Sequence, residues 1–364
     1  MSLKKTPLHG IHKSLQAKMA EFAGFEMPIQ YSSIKNEVAR VRENAGVFDV
    51  SHMGEFFIEG PDAVKFVDYL ITNDFSNSDN LKAVYSPLCR ENGTIIDDLI
   101  AYKLSPEKIL ICVNASNIEK DWDWISKQKK SFNVELSNRS GDYSLLAIQG
   151  PQSADVLGKI GILSKEELAP ESFPYYSIRH IEINDDHLII ARTGYTGEDG
   201  FEIFSSSSEY TKTLWEGLSE NGATPCGLAA RDVLRLEVCY PLYGHELNDE
   251  ITPLDSALKW TVKMDKNDFL GKDSLSSYIP KYRLVKLSLN KGIPREGYPI
   301  LNNKNEKIGK VTSGTLSVVL NKGISLGLVE KNKFPEDKKF FIQIRNKTFE
   351  ASYQSKPFYK GGHK

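Results

Sequence analysis

Two adjacent carboxylates, Asp97 and Asp98, interrupt an otherwise apolar run in residues 92–101, NGTIIDDLIA. Ile95, Ile96, Leu99 and Ile100 read as a buried strand, and side chains alternate across a strand, so the two carboxylates point to opposite faces and at least one faces the interior. A carboxylate there costs on the order of a few kcal/mol unless it is paired, hydrogen-bonded or used. Used, it can steer or accept a proton. The alternative is a strand whose end reaches water, with both groups solvated or capping a loop. A third carboxylate, Glu202, stands between Phe201 and Ile203 behind the glycine-rich stretch TGYTGEDG. It can accept two N–H donors side by side, or it can face solvent. The glycine spacing is not the dinucleotide fingerprint, which must open a helix, whereas here it precedes a strand. Arg231, in GLAARDVLRLE, offers a flat guanidinium for stacking or a bridging contact. Equally, it can pair with Asp232 or Glu237 in the core.

The elements that must position these groups follow from the flanking pattern. Asn92-Gly93 predicts a hairpin between strands at 85–88 and 95–104, with 109–113 as the next partner and Asn114 to Asn117 capping a helix over 118–131. Before it, LQAKMAEFA (15–23) has helical spacing stopped by Gly24, a second helix covers 33–44, and VFDVSHMGEFFIEG (47–60) leads into a strand ending at Gly60-Pro61. Asp62 is placed to cap a helix over 63–70, with Val64, Val67 and Leu70 on one face. A strand at 143–149 ends at Gly150-Pro151 and a helix at 152–160 follows, with Ala154, Leu157 and Ile160 inward. GPDAVKFVDYL and GPQSADVLGKI therefore read as a degenerate internal repeat. After residues 187–192 come the strand carrying Glu202 and a helix at 209–218. The polar stretch 268–283 is a boundary, beyond which 284–289, 307–312, 325–329 and 340–344 are short strands of a small β-barrel or roll.

The totals agree with a multidomain globular chain. Its 364 residues exceed one ordinary core and suggest two or three domains. With 46 basic against 48 acidic residues, nothing points to nucleic acid. No segment approaches the roughly 18 apolar residues of a membrane helix, and no leader pattern is present, so a cytoplasmic protein is expected. Cys89, Cys112, Cys226 and Cys239 stand apart without a CxxC pair, which suits reduced thiols and no zinc knuckle. No HExxH motif is present, His9 and His12 are the one close histidine pair, and no metal is expected. Residues 331–364 carry nine Lys or Arg against three acids, a basic tail.

Taken together, TPLH, HKSLQAKMAEFAGFEMPIQY, VFDVSHMGE, NGTIIDDL, LAIQGPQS, TGYTGEDGFEI, GLAARDVLRLE, PLYGHEL and GKVTSG resemble, in order and spacing, the aminomethyltransferase (T-protein) family of the glycine cleavage system. The resemblance spans essentially the whole chain. It departs at Gln16, where the family usually has Gly, at Phe25, usually Trp, and at Val318, often Pro. It implies an α+β fold: a three-domain cloverleaf with mixed or antiparallel sheets and helices, a small C-terminal β-barrel and a central folate channel. Its first domain is discontinuous, 1–50 with 140–270; a second αβ domain, 51–139, carries the catalytic Asp; the barrel covers 280–364. Implied partners are tetrahydrofolate as co-substrate and the lipoylated H-protein. The implied products are ammonia, dihydrolipoyl H-protein and 5,10-methylenetetrahydrofolate.

Residue by residue, the family's catalytic carboxylate falls on Asp98, leaving Asp97 structural, and its pterin-binding carboxylate falls on Glu202. A reduced pterin shows an edge of donors that such a group can accept. Arg231 matches a folate-contacting arginine. Tyr85, Tyr102, Tyr195, Tyr240, Met53 and Trp260 are candidates for walls of the folate site, each of them equally suited to core packing. Asn114 is expected to position folate or the carboxylate, and His52 reads as a hydrogen-bonded structural histidine. In the tail, Lys360 or Lys356 is placed to meet the folate glutamate or an acidic H-protein face, or else forms solvated surface. Two rivals remain at this point: a paralogue moving a methyl or methylene group from a small molecule to the same folate, and a folate-binding protein that assists iron–sulfur assembly. The latter carries a KGCYxGQE-type motif where this chain has VCYPLYGHEL.

Overall fold

The computed structural model describes residues 2–183 and 186–362; His363 and Lys364, the end of the basic tail, lie outside the described residues. The chain opens with a short helix, α1 (His9–Ser14), and a two-stranded hairpin, β1 (Lys18–Phe22) with β2 (Phe25–Gln30). The helix expected over 15–23 is therefore not formed. Gln16, Ala23 and Gly24 all have positive φ (56°, 50° and 82°), and the last two supply the left-handed pair that a two-residue hairpin turn requires. Helix α2 (Ile34–Glu43) follows as expected, capped by the Ser33 hydroxyl, which accepts from Asn36 N.

Three sheets carry the rest. The first has six strands in the order β10 (Ile178–Ile183), β11 (Asp186–Ala191), β12 (Gly200–Ser205), β9 (Ser144–Gln149), β3 (Gly46–Asp49) and β13 (Thr224–Pro225), antiparallel except for β3 with β13. The second is antiparallel throughout: β5 (Lys82–Cys89), β6 (Ile95–Ser105), β7 (Lys108–Val113), β4 (Gly54–Glu59) and β8 (Glu135–Asn138). Its central hairpin is the one that Asn92-Gly93 predicts; Gly93 takes φ 81° and Asn92 Oδ1 accepts from Thr94 N. The third is a closed barrel of β14 (Tyr282–Leu289), β17 (Lys322–Glu330), β16 (Lys307–Ser317), β15 (Pro299–Leu301), β18 (Phe340–Ile344) and β19 (Lys347–Gln354). Two of these, β15 and β19, lie outside the four strands read from the sequence.

The first two sheets face each other across one apolar seam, to which the first gives Phe48, Leu145, Ala147 and Phe204 and the second gives Phe57, Tyr102, Leu110 and Cys112. Helices α5 (Ser153–Lys159) and α6 (Ser208–Glu220) cover the outer face of the first sheet, and α3 (Ala63–Leu70) and α4 (Ile118–Gln128) that of the second. Helix α7 (Leu228–Glu237) packs on the seam through Ala230, Val233 and Leu234 and meets the barrel through Leu236. A last helix, α8 (Lys272–Ser277), lies within the polar stretch before the barrel. Two expected caps are corrected. The Asp62 side chain does not cap α3; it accepts from Asn133 N at 3.0 Å. Neither Asn114 nor Asn117 caps α4, because both side chains are spent on Asp97.

Candidate active site

Strand β6 outruns its neighbour. Pairing with β7 begins at Leu99 opposite Val113, so Asp97 and Asp98 lie beyond the end of β7, where the chain turns away at Asn114. The Asn114 amide takes the place of the missing ladder partner: its Nδ2 donates to Asp97 Oδ1 at 2.8 Å, to Asp98 Oδ1 at 2.9 Å and to the Asp98 carbonyl at 3.2 Å. One side chain thus reaches both carboxylates, which corrects the strict opposite-face expectation. The solvated-end reading fails as well, since Asp97 is fully buried and Asp98 half-buried. Asp98 Oδ2 accepts from the Tyr85 hydroxyl at 3.0 Å. Burial, and next the charge of Asp97, push the Asp98 carboxyl up to about 7, against the hydrogen bonds from Tyr85 and Asn114. Tyr85 stacks on Trp260 with ring centroids 6.1 Å apart, and Trp260 is 58% exposed, so it is not core packing.

Glu202 lies in mid-strand on β12, opposite Ala191 on one side and Ala147 on the other. It does not face solvent. Only 6% of it is exposed, and its Oε2 accepts from the Thr193 hydroxyl at 2.6 Å, with Tyr102 Oη at 3.5 Å. Arg231 does not form the core ion pair that its neighbours offer: Asp232 pairs with Arg235 at 2.7 Å and Glu237 with Arg42 at 2.8 Å. Its guanidinium instead lies 5.0 Å from the centroid of the Tyr195 ring, and its Nη1 is buried without a partner among the described residues. Tyr195 leans on Tyr240 at 5.9 Å and donates its hydroxyl proton to the Pro241 carbonyl.

These groups share one neighbourhood at the seam. The Cys112 thiol feels Glu202, Arg231 and Asp97, and the Tyr85 phenol feels Asp98, Tyr195 and Tyr176. Met53 is half-buried against the same seam. Two residues absent from the expected set join them. Tyr175 and Tyr176 stand edge to face at 4.8 Å, both within electrostatic reach of Glu202 and Tyr240, and Tyr176 is held at φ 60°. The sequence signal was the pair of tyrosines after Pro174, in a stretch without strand or helix periodicity. His52 is buried, but its Nδ1 has no partner among the described residues, where a hydrogen-bonded histidine was expected; Phe22 and Phe25 meet its ring edge-on at 5.3 and 6.4 Å. Burial lowers its pKa to about 4, with Arg231 adding to the fall and Asp49 opposing it.

Lys360 is not drawn into this cluster. It is exposed on a tail segment tied to the loop after Tyr195 by Gly362 N donating to the Gly197 carbonyl at 2.9 Å, and to α7 by Tyr359 N donating to the Glu237 carbonyl at 2.8 Å. Among the described residues, His180, Glu182 and His187 bring three ligand atoms within 4.8 Å of one another on the exposed face of the β10–β11 hairpin. The seam itself offers a carboxyl that titrates near neutrality, a buried carboxylate acceptor and a guanidinium whose Nη1 has no partner among the described residues, ringed by aromatic surfaces. That set suits a flat, nitrogen-rich ring system whose nitrogens exchange protons as bonds form.

The chain resembles known proteins along essentially its whole length. The GCVT N-terminal domain family matches residues 8–266, and the glycine cleavage T-protein C-terminal barrel domain matches residues 283–360. An aminomethyltransferase of Thermosipho melanesiensis is 46% identical over 366 residues, covering 100% of this chain and 99% of that one. One from Staphylococcus carnosus is 42% identical, covering 97% of this chain and 98% of its own length. The crystal structure of glycine cleavage system aminomethyltransferase T from Bartonella henselae superimposes with a TM-score of 0.91 at 32% identity, covering 100% of this chain and 99% of that one.

Proposed function

Because this chain belongs to the aminomethyltransferase family, the T-proteins of the glycine cleavage system, we propose that it moves the one-carbon unit of an aminomethyl group on lipoyl H-protein to tetrahydrofolate. In that reaction two C–N bonds form, to the folate N5 and N10, while the C–N bond to the departing ammonia and the C–S bond to the lipoyl arm break. The two folate N–H protons end on ammonia and on the dihydrolipoyl thiol. The observation that carries the reading is Asp98: a half-buried carboxyl, aimed by Tyr85 and Asn114, with an affinity for protons close to neutrality. Such a group can receive a proton as a nitrogen attacks and return it to a leaving group.

In the same reading Glu202 accepts the donor edge of the pterin, Arg231 with Tyr195 and Tyr240 forms one wall, and Tyr85 with Trp260 forms another. Tyr102 holds Glu202 from below, Met53 fills the apolar side, and Asn114 keeps Asp98 in place. Lys360, exposed beside the loop that carries Tyr195, meets the glutamate tail of folate at the entrance. The site of action is the cytoplasm. The test is formation of 5,10-methylenetetrahydrofolate by the purified protein given tetrahydrofolate and aminomethyl-loaded H-protein. Product that requires H-protein supports the reading; product formed from a free methylated amine or sulfonium without H-protein overturns it in favour of a methyl-transferring paralogue.

A further inference from the structure

Behind Asp98 lies a second acid that none of the roles above uses. Asp121 is fully buried on the inward face of α4, and neither of its carboxylate oxygens receives an N–H or O–H from any other described side chain or backbone group. The group it meets is the Asp97 carboxyl, and each raises or lowers the other's hold on a proton. Two carboxyl groups can hydrogen-bond only if a proton lies between them. The surroundings decide which group is the acid. Asp97 receives Asn114 Nδ2 at 2.8 Å, Asn117 Nδ2 at 2.7 Å and Asn114 N at 3.2 Å, three donors that support a charge, whereas Asp121 receives none. Lys120, the cation whose charge reaches Asp121, is committed elsewhere: its Nζ donates to the Ile96 carbonyl at 2.6 Å and the Tyr243 hydroxyl at 2.8 Å. Asp249 pairs with Arg90 and stands 3.8 Å from Lys120, and Asp123 lines the same corner.

We propose that Asp121 is a positioning residue that holds one proton against Asp97, keeping Asp97 an anion that fixes the Asn114 amide and, through it, Asp98. The inference rests on Asp98 being the reacting carboxylate, but its first test does not. Burial, then the charge of Asp97, push Asp121 up to about 11, while Lys120 opposes and Asp98 adds to the rise. The folded protein therefore keeps a proton that the unfolded chain, with an ordinary aspartate, releases above about pH 4.

Stability then falls with rising pH through this one group, and Asp121→Asn, which donates to Asp97 without titrating, removes that slope. Melting wild type and Asp121→Asn in parallel from about pH 5 to about pH 9 reads this directly. The expected result is a Tm of the variant that gains on wild type steadily, by roughly a few degrees over the range. A difference that stays flat with pH overturns the shared proton. The second arm reads the consequence at Asp98. In Asp121→Leu, Asp97 must take up the proton itself, the charge beside Asp98 is lost, and the midpoint of kcat against pH moves down by about half a unit or more while KM for tetrahydrofolate changes less than about two-fold. In Asp121→Asn the midpoint stays. A midpoint that moves equally in both variants, or in neither, contradicts the positioning role. If Asp98→Asn proves fully active, the role assigned to Asp98 fails while the melting arm still decides where the proton sits.

Discussion

Asp98 carries the proposed chemistry because burial and three neighbouring side chains disagree over its proton. Burial and Asp97 favour the neutral form, and Tyr85 and Asn114 favour the anion, leaving the carboxyl near 7. The sign of the consequence is fixed. A base must be ionised, so kcat rises with pH through a limb centred near 7 and levels off above it. A profile flat down to about pH 5 contradicts this assignment. The same shift acts on stability: the folded pKa lies above the unfolded one, so this group's contribution is present below about pH 4 and is lost as pH rises to 7. Legibility in the sequence was uneven here. The carboxylate pair drew attention inside an apolar run, but the run alone left a solvated strand end open, and only the matched motifs pointed to Asp98. Asn114 was expected to position folate or the carboxylate, but not as a donor shared by both carboxylates, since that depends on β7 ending one residue before it. Tyr175 and Tyr176 were invisible for a similar reason: an irregular segment gives no periodicity from which to infer a direction.

At the scale of elements, the two Gly-Pro turns are built alike. Gly60 and Gly150 both take φ 130°, and each carbonyl accepts from the third residue on, Ala63 N and Ser153 N, at 3.0 Å. Each glycine closes against backbone: an added Cβ would sit 2.7 Å from the Asn133 carbonyl at Gly60 and 2.4 Å from the Asn44 carbonyl at Gly150. Gly150→Ala or Gly60→Ala should therefore cost about 1–3 kcal/mol or more in chemical denaturation, from the forbidden φ and the clash together. Gly141→Ala, with open space around it, should change stability by less than about 0.5 kcal/mol. Equal losses at all three positions would remove the turn argument. The likeness of the two turns was readable because Gly-Pro between strand and helix leaves few conformations. The hairpin at 18–30 was misread because Leu15, Met19 and Phe22 fit helical spacing, while the deciding feature was an Ala-Gly turn between two apolar runs.

The whole molecule is two facing sheets clad by helices, with a barrel locked on through α7. That lock is polar and buried. Glu237 Oε2 accepts from Arg42 while its Oε1 accepts from the Ser317 hydroxyl and from Val318 N and Val319 N of the barrel; Arg235 bridges Glu246 and Ser313. Glu237→Ala removes one of the two carboxylates that hold the buried Arg42 guanidinium, Glu198 being the other at 2.8 Å, and leaves two barrel amides unpaired, and should cost about 2–4 kcal/mol. A loss below about 1 kcal/mol, read from the denaturant midpoint, would show that the barrel is held by its apolar contacts alone. The antiparallel hairpin and the barrel were legible as alternating strands, but this lock was not, because it joins residues about eighty positions apart and depends on how separate cores meet. The same geometry brings β6, β12 and α7 to one seam, and the account stands on what that seam does. The most direct measurement is product formation by Asp98→Asn beside wild type, with tetrahydrofolate binding followed in the same samples. A loss of turnover by about a hundred-fold or more with folate binding retained is the predicted result; near-normal turnover would contradict it.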